Sequence, residues 1–519
     1  MKNSARQSMA WLHSWLGLLL GWFLFAIFLT GALTYYRHEI NLWSQPQLAN
    51  IEVKQETAIH SALNYLEKNA TNAKSWYLQV ANENSPVNKI YWQTQDGQFN
   101  SKVLDPNTAK ELEISNNQAG EFLYLFHFQL YGMPILTARF IVSIAAFIML
   151  ICLISGIITH KKIFTDFFTL RTFKGQRSYL DFHNVSSVIA LPFFLTITFT
   201  GLAILFYLYF PMGIQKSYPT NNFQFFEEIR NIKTVENSNF DKVKMMNSIQ
   251  MQNLVQNNMG NVPLNIITIK DPNTSQAVAT FNALEDHTIT QNVAQTTFNA
   301  TSGEILPSTK NQSAVAKLSA GVYGIHMMTF AQPFLRIALF FSGILGCAMI
   351  ASGLLLWSLK CQIQKSKKQF NLGHYLVDRL NMTALLGLSI SILGFLSAYR
   401  INSIFNLNIT ESFLFFSTWS LCLFISLFVP KQYLWKSFLK AFIAFGFFLI
   451  ILDLVYLYHY LIITPYFNYW KILRLDLFVL IFIFLAIFLH QKLEPIQTKA
   501  SEKLKNKISK SKIDIGGSK

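Results

Sequence analysis

Charge is scarce in this sequence. Asp, Glu, Lys and Arg make up 13% of its 519 residues, about half the share of a soluble domain, while 51% are hydrophobic. That balance excludes a solvated or disordered chain and an ordinary soluble enzyme. Cysteine is scarcer still: Cys152, Cys347, Cys361 and Cys422 are the whole set. Three lie in apolar runs and Cys361 just beyond one, so neither a disulfide framework nor a Cys-rich metal site is available. Acid is short as well, with 27 Asp and Glu against 43 Lys and Arg, a net charge of +16.

What the chain has instead is long apolar runs, near 11–36, 138–159, 184–210, 334–358, 382–398, 412–429, 438–463 and 473–490. Each can cross a hydrocarbon core of ~30 Å. The first is too long for a signal peptide and has no small-residue cleavage site, so it reads as a retained span. Lys161, Lys162, Arg171, Lys174 and Arg177 separate runs two and three, and Lys360, Lys365, Lys367, Lys368 and Arg379 separate runs four and five. Lys431, Lys436 and Lys440 follow run six, and eight lysines follow His490. If every run spans, all of these share one side with Lys2 and Arg6, and the positive-inside rule makes that side cytoplasmic. Both termini are then expected inside. The basic bias is a topology signal with some attraction to anionic membrane lipid, and no nucleic-acid partner is expected.

The chain then divides into span one within 1–36, an external segment 37–120, spans two and three within 121–210 around a basic loop 160–182, a second external segment 211–320, span four within 321–360, spans five to eight within 361–491, and a basic tail 492–519. Both external segments are too long to be structureless. The first offers a helical stretch, "ETAIHSALNYLEKNA", and alternating strands with Asp96-Gly97 as a hairpin turn. The second offers "PLNIITIKDPNTSQAVATFN" and "TTFNATSGEIL". The expected fold is a membrane all-α bundle of about eight helices with two small α+β domains outside it.

The first four spans carry an internal duplication. His13 precedes Thr30-Gly31 as His183 precedes Thr200-Gly201. "HFQLYGMP" at 127–134 matches "HMMTFAQP" at 326–333, and "ISGIITHKK" at 154–162 matches "ASGLLLWSLK" at 351–360. One histidine in a span is commonly structural. Four at repeat-related positions are a functional signal, since ionisable groups in membranes are costly. His13 and His183 fall at the cytoplasmic ends of spans one and three, and His127 and His326 just before spans two and four on the outer face. Two imidazole pairs, one per membrane surface, suit two b-type haems between facing helices, whereas zinc would want three or four ligands. The 18 residues from His13 to Gly31 are five helical turns, about 27 Å, so both face one way, as do His183 and Gly201. Gly156 and Gly353 fall in the inner layer. The four glycines are expected to leave room for the flat macrocycles. The alternative is that they only permit close helix packing. His160, whose repeat counterpart is Trp357, could replace His13 as inner ligand or lie near propionates. His38 and His374 rank lower. Spans five to eight show no match to the repeat and no polar cluster to which chemistry can be assigned.

"LHSWLGLLLGWFLFAIFLTGAL", "SGIITHKKIFTDFFTLR", "RSYLDFHNVSSVIALPFFLTITFTG" and the "DPNTAKEL" loop resemble the PepSY-associated transmembrane proteins, over about residues 5–380. Such proteins are often iron-regulated, and some are bacterial inner-membrane ferric-siderophore reductases with two b haems. The resemblance implies electron entry from a cytoplasmic donor at the inner haem and reduction of a ferric siderophore or other ferric chelate at the outer one. PepSY domains also inhibit proteases as propeptide parts, so a non-enzymatic regulator or anchor is the alternative, with a siderophore or haem permease as a third reading. Spans five to eight extend beyond the four-span core.

Overall fold

A computed structural model describes residues 4–114, 118–160, 165, 170–171, 176–220, 225, 241–284, 288–307, 313–364, 371–463 and 468–516. Lys161, Lys162, Lys174, Lys365, Lys367 and Lys368 of the expected basic loops lie outside them, as does His287.

Among the described residues seven helices are long and apolar enough to cross a membrane: Ala5–Thr34, Ile135–Thr159, Pro333–Cys361, Leu372–Phe405, Glu411–Phe428, Lys431–His459 and Trp470–Leu493. A bent pair, Gln176–Ile189 with Leu191–Ile204, makes the eighth. These are spans one to eight when taken in chain order, and the chain is a multi-pass membrane protein. Span three was expected to be straight, with His183 and Gly201 on one face. It turns instead by 67° at Ala190. Pro192 follows at the start of the second half; it has no N–H to give and its ring crowds the preceding turn.

In the external segments two small α+β domains were expected; their strands join in one antiparallel six-stranded sheet. Its strands are β1 (Ser75–Gln79), β2 (Asn88–Gln93), β3 (Phe99–Leu104), β4 (Leu264–Lys270), β5 (Val278–Ala283) and β6 (Gln295–Asn299), in the order β3-β2-β1-β4-β5-β6. The first strands of the two repeats meet at the centre, with Tyr77 opposite Thr268. Neither three-stranded half covers its own core. The joined sheet buries Trp76, Leu78, Ile267, Ile269, Phe281 and Phe298 against helices Gln55–Asn69 and Ser248–Met259. The β2–β3 hairpin turns at Asp96-Gly97, where Gly97 takes a φ of 87°. β3 and β6 each end in an isolated bridge, Leu104 to Glu111 and Phe298 to Ile305, so the two halves of the sheet close alike.

Short helices return the chain from the sheet to spans two and four. Ala119–Gln129 carries His127, and Ala314–Met327 carries His326. Each ends on a left-handed residue, Leu130 or Met328, before the proline that opens the next span. The histidine-to-proline spacing of seven is thus the length of a helix end, a reversal and a restart.

Candidate functional site

The structure brings the four repeat-related histidines together in two pairs. The ring centres of His13 and His183 are 6.1 Å apart, and those of His127 and His326 are 6.3 Å apart. The second pair lies on the sheet side, the first at the other end of the bundle. His160 caps span two near enough to His183 for their charges to interact, but the ring against His183 is that of His13.

Each imidazole is held the same way. His13 Nδ1 donates to Cys152 O at 2.9 Å, His127 Nδ1 to Ile27 O at 2.8 Å, and His183 Nδ1 to Met349 O at 2.8 Å. His326 Nδ1 bonds the backbone at Ile197 and lies 3.0 Å from Thr200 Oγ1, which donates its own proton to Thr196 O. Carbonyl oxygens only accept, so the proton of each ring sits on Nδ1 and the lone pair on Nε2. No Nε2 of the four has a hydrogen bond among the described residues.

These four carbonyls sit four residues before Gly156, Gly31, Gly353 and Gly201. A helical side chain covers the turn N-terminal to its own Cα, so a Cβ at any of these positions would cover the carbonyl that the imidazole uses. At Gly31 it would lie 2.7 Å from His127 Cε1, at Gly201 3.0 Å from His326, at Gly353 3.1 Å from His183 and at Gly156 3.4 Å from His13. In this structure the space beside each of these glycines holds an imidazole ring. The hydroxyl residue before the glycine assists, with Ser155 and Ser352 each 3.3 Å from the Nδ1 seated beside it.

The seats follow the duplication. In each repeat the two histidines rest on each other's membrane helix: His13 on span two and His127 on span one, then His183 on span four and His326 on span three. The pairs form across the repeats. His38 and His374 join neither: His38 is exposed at an outer cleft, and His374 packs 5.8 Å from Trp357.

Sequence reasoning found no polar cluster in spans five to eight, and the structure corrects this. Arg400, Asp453 and Asp476 are all buried and lie together. They stand more than 20 residues apart in the chain, so no motif announces them. The available signal was a charge in or just beside each of three apolar runs.

A duplicated four-span core with two imidazole pairs, capped by one shared sheet, defines a class of membrane protein. The chain belongs to the family described as PepSY-associated TM region, whose model it matches over residues 10–360. Spans five to eight lie beyond that match. No curated protein matches the chain.

Proposed function

We propose that the chain is a bacterial inner-membrane electron-transfer protein that holds two b-type haems and reduces a ferric siderophore or other ferric chelate on the sheet side, with electrons from a cytoplasmic donor. The observation that carries this reading is the spacing and protonation of the histidine pairs. Two imidazoles that held one ion through Nε2, at about 2 Å each, would have ring centres roughly 6 Å apart. The two pairs stand at 6.1 and 6.3 Å, each ring with an unused Nε2. Among the described residues no group of three or more His, Cys, Asp or Glu could hold a metal, so two imidazoles alone suit an ion that brings its other ligands in a macrocycle.

When bound, haem supplies one-electron redox chemistry at each membrane face. His13 and His183 would hold one and His127 and His326 the other. The backbone carbonyls opposite Nδ1 fix each ring's tautomer and orientation and make Nε2 more basic. The shared sheet stands beside the His127–His326 pair, where a chelate would dock. Iron(II) is held less tightly than iron(III) by hard oxygen donors, so gain of one electron loosens the chelate.

The test uses purified full-length protein from haem-replete cells. Dithionite should give a reduced b-type spectrum, and a ferric hydroxamate or catecholate chelate should reoxidise it with iron(II) trapped by ferrozine. A colourless protein would overturn the haem reading. A coloured protein that no ferric chelate reoxidises would overturn the substrate.

A further inference from the structure

Spans five to eight hold a buried charge cluster that the haem reading does not use. Arg400 and Asp453 are both 0% exposed, and Asp476 is 4% exposed. Arg400 Nε donates to Asp453, and Arg400 Nη2 donates to Trp43 O at 2.7 Å. Trp43 Nε1 donates to the other Asp453 oxygen at 2.6 Å. The guanidinium carbon lies 3.9 Å over the Trp43 ring. Thus one helix after span one (Arg37–Ser44) is fastened to spans five and seven.

Asp476 makes the cluster more than a tether. Its carboxyl lies against that of Asp453 and within electrostatic reach of Arg400. Neither Asp476 oxygen meets a donor among the described residues, and Arg400 Nη1 has no acceptor. If all three groups ionise, two carboxylates touch and one negative charge is left over in a buried site. Like charges at contact cannot both ionise, and an uncompensated buried charge is strongly unfavourable. Nearby cations do not supply the balance. On the helix of Asp476, Lys471 bonds Ala49 O at 2.9 Å, and Arg474 faces a cleft. On the helix that carries Trp43, Arg37 pairs with Glu121 at 2.5 Å, and Glu39 pairs with Arg336 at 2.6 Å.

That cleft neighbours the cluster without being lined by it. It encloses about 560 Å³ and is lined by His38, Glu39, Leu42, Glu83, Lys471 and Arg474 among others. Leu42 is next to Trp43 in the chain, and Arg474 is two residues before Asp476, so the cleft and the cluster share both helices.

We infer that Asp453 and Asp476 form a proton-binding site, in which one proton is shared between the two carboxyls while Arg400 neutralises the remaining charge, and that the proton exchanges with water through the cleft on the sheet side. Uptake adds one positive charge to the site and makes the O–H···O bond between the carboxyls. Loss breaks that bond and leaves a net negative charge beside Trp43. The site is independent of haem.

Infrared difference spectroscopy of the full chain in detergent tests this. The wild type should show a protonated carboxylic C=O band that shifts in D2O and disappears as pH rises, with about one proton released per chain. Asp476→Asn keeps the shape of the neutral acid and should fold but lose the band. Persistence of the band in Asp476→Asn, or its absence from the wild type between about pH 5 and about pH 9, overturns the proposal. A band that does not shift in D2O overturns the access through the cleft. If Asp476→Asn does not fold, Asp476→Glu should keep a band at altered frequency, and an unaltered band would equally overturn the assignment.

Discussion

Gly31→Ala and Gly156→Ala make the same chemical change in two seats of different tightness. In a helix interior, Gly→Ala is normally stabilising by about 0.5–1 kcal/mol. At Gly156 the new methyl would meet His13 at 3.4 Å, a distance close to ordinary contact, so most of that gain should stand. At Gly31 it would lie 2.7 Å from His127 Cε1 and 2.8 Å from Nδ1. Carbon atoms at rest stand about 3.5–4.0 Å apart, so the ring must retreat by about 1 Å. The retreat breaks the 2.8 Å bond to Ile27 O. Overpacking costs about 1–3 kcal/mol and the lost hydrogen bond about 1 kcal/mol, which together outweigh the helix gain. Gly31→Ala should therefore lower the thermal midpoint of the purified full chain by a few degrees and alter the spectrum of the sheet-side pair, while Gly156→Ala does neither. Gly201→Ala and Gly353→Ala, at 3.0 and 3.1 Å, should fall between. Equal effects at Gly31 and Gly156, or the reverse order, would refute the seat argument.

Three other outcomes are expected. If the histidine pairs hold haem as proposed, His160→Ala should keep both haems with at most a shifted potential, measured by redox titration, because the ring against His183 is that of His13; loss of the inner haem would exchange their roles. Arg400→Met should destabilise the protein by about 3–5 kcal/mol in detergent unfolding, since it strands Asp453 without its cation, whereas Trp43→Phe removes one hydrogen bond and should cost about 1–2 kcal/mol. Reporter fusions after Gln98 and after Ser302 should both read as external. Since β1 pairs with β4, the two positions share one sheet and cannot report opposite sides.

The sequence carried the spans and the histidines because both are local or periodic. An apolar run long enough to cross is visible by itself, and the second half repeats His13 and Gly31 at the same spacing of 18 residues and repeats the short motifs around His127 and Gly156. The joining of the two sheet halves was not visible. Each repeat has its own helix and three strands, and nothing in either reveals that β1 and β4 leave an edge for each other. What borders the glycines was not legible for a related reason. Spacing puts Gly31 in the outer layer but does not say which object fills the space above it, and the answer depends on how His127 crosses from a separate short helix. Pro192 marked the break in span three, but spacing alone took His183 and Gly201 to share one straight helix. Arg400, Asp453 and Asp476 were legible only singly, each as a charge in or just beside an apolar run, and their meeting depends wholly on how spans five, seven and eight pack.

The central claim is that the four histidines make two bis-imidazole sites, each shared between the repeats. Haem content and reduced-minus-oxidised spectra of the purified wild type and of the four single His→Ala variants test it most directly. The account predicts two b haems per chain in the wild type, with His127→Ala and His326→Ala losing one and the same spectral component and His13→Ala and His183→Ala losing the other. A wild type without haem, or partners within a pair that lose different components, would contradict it.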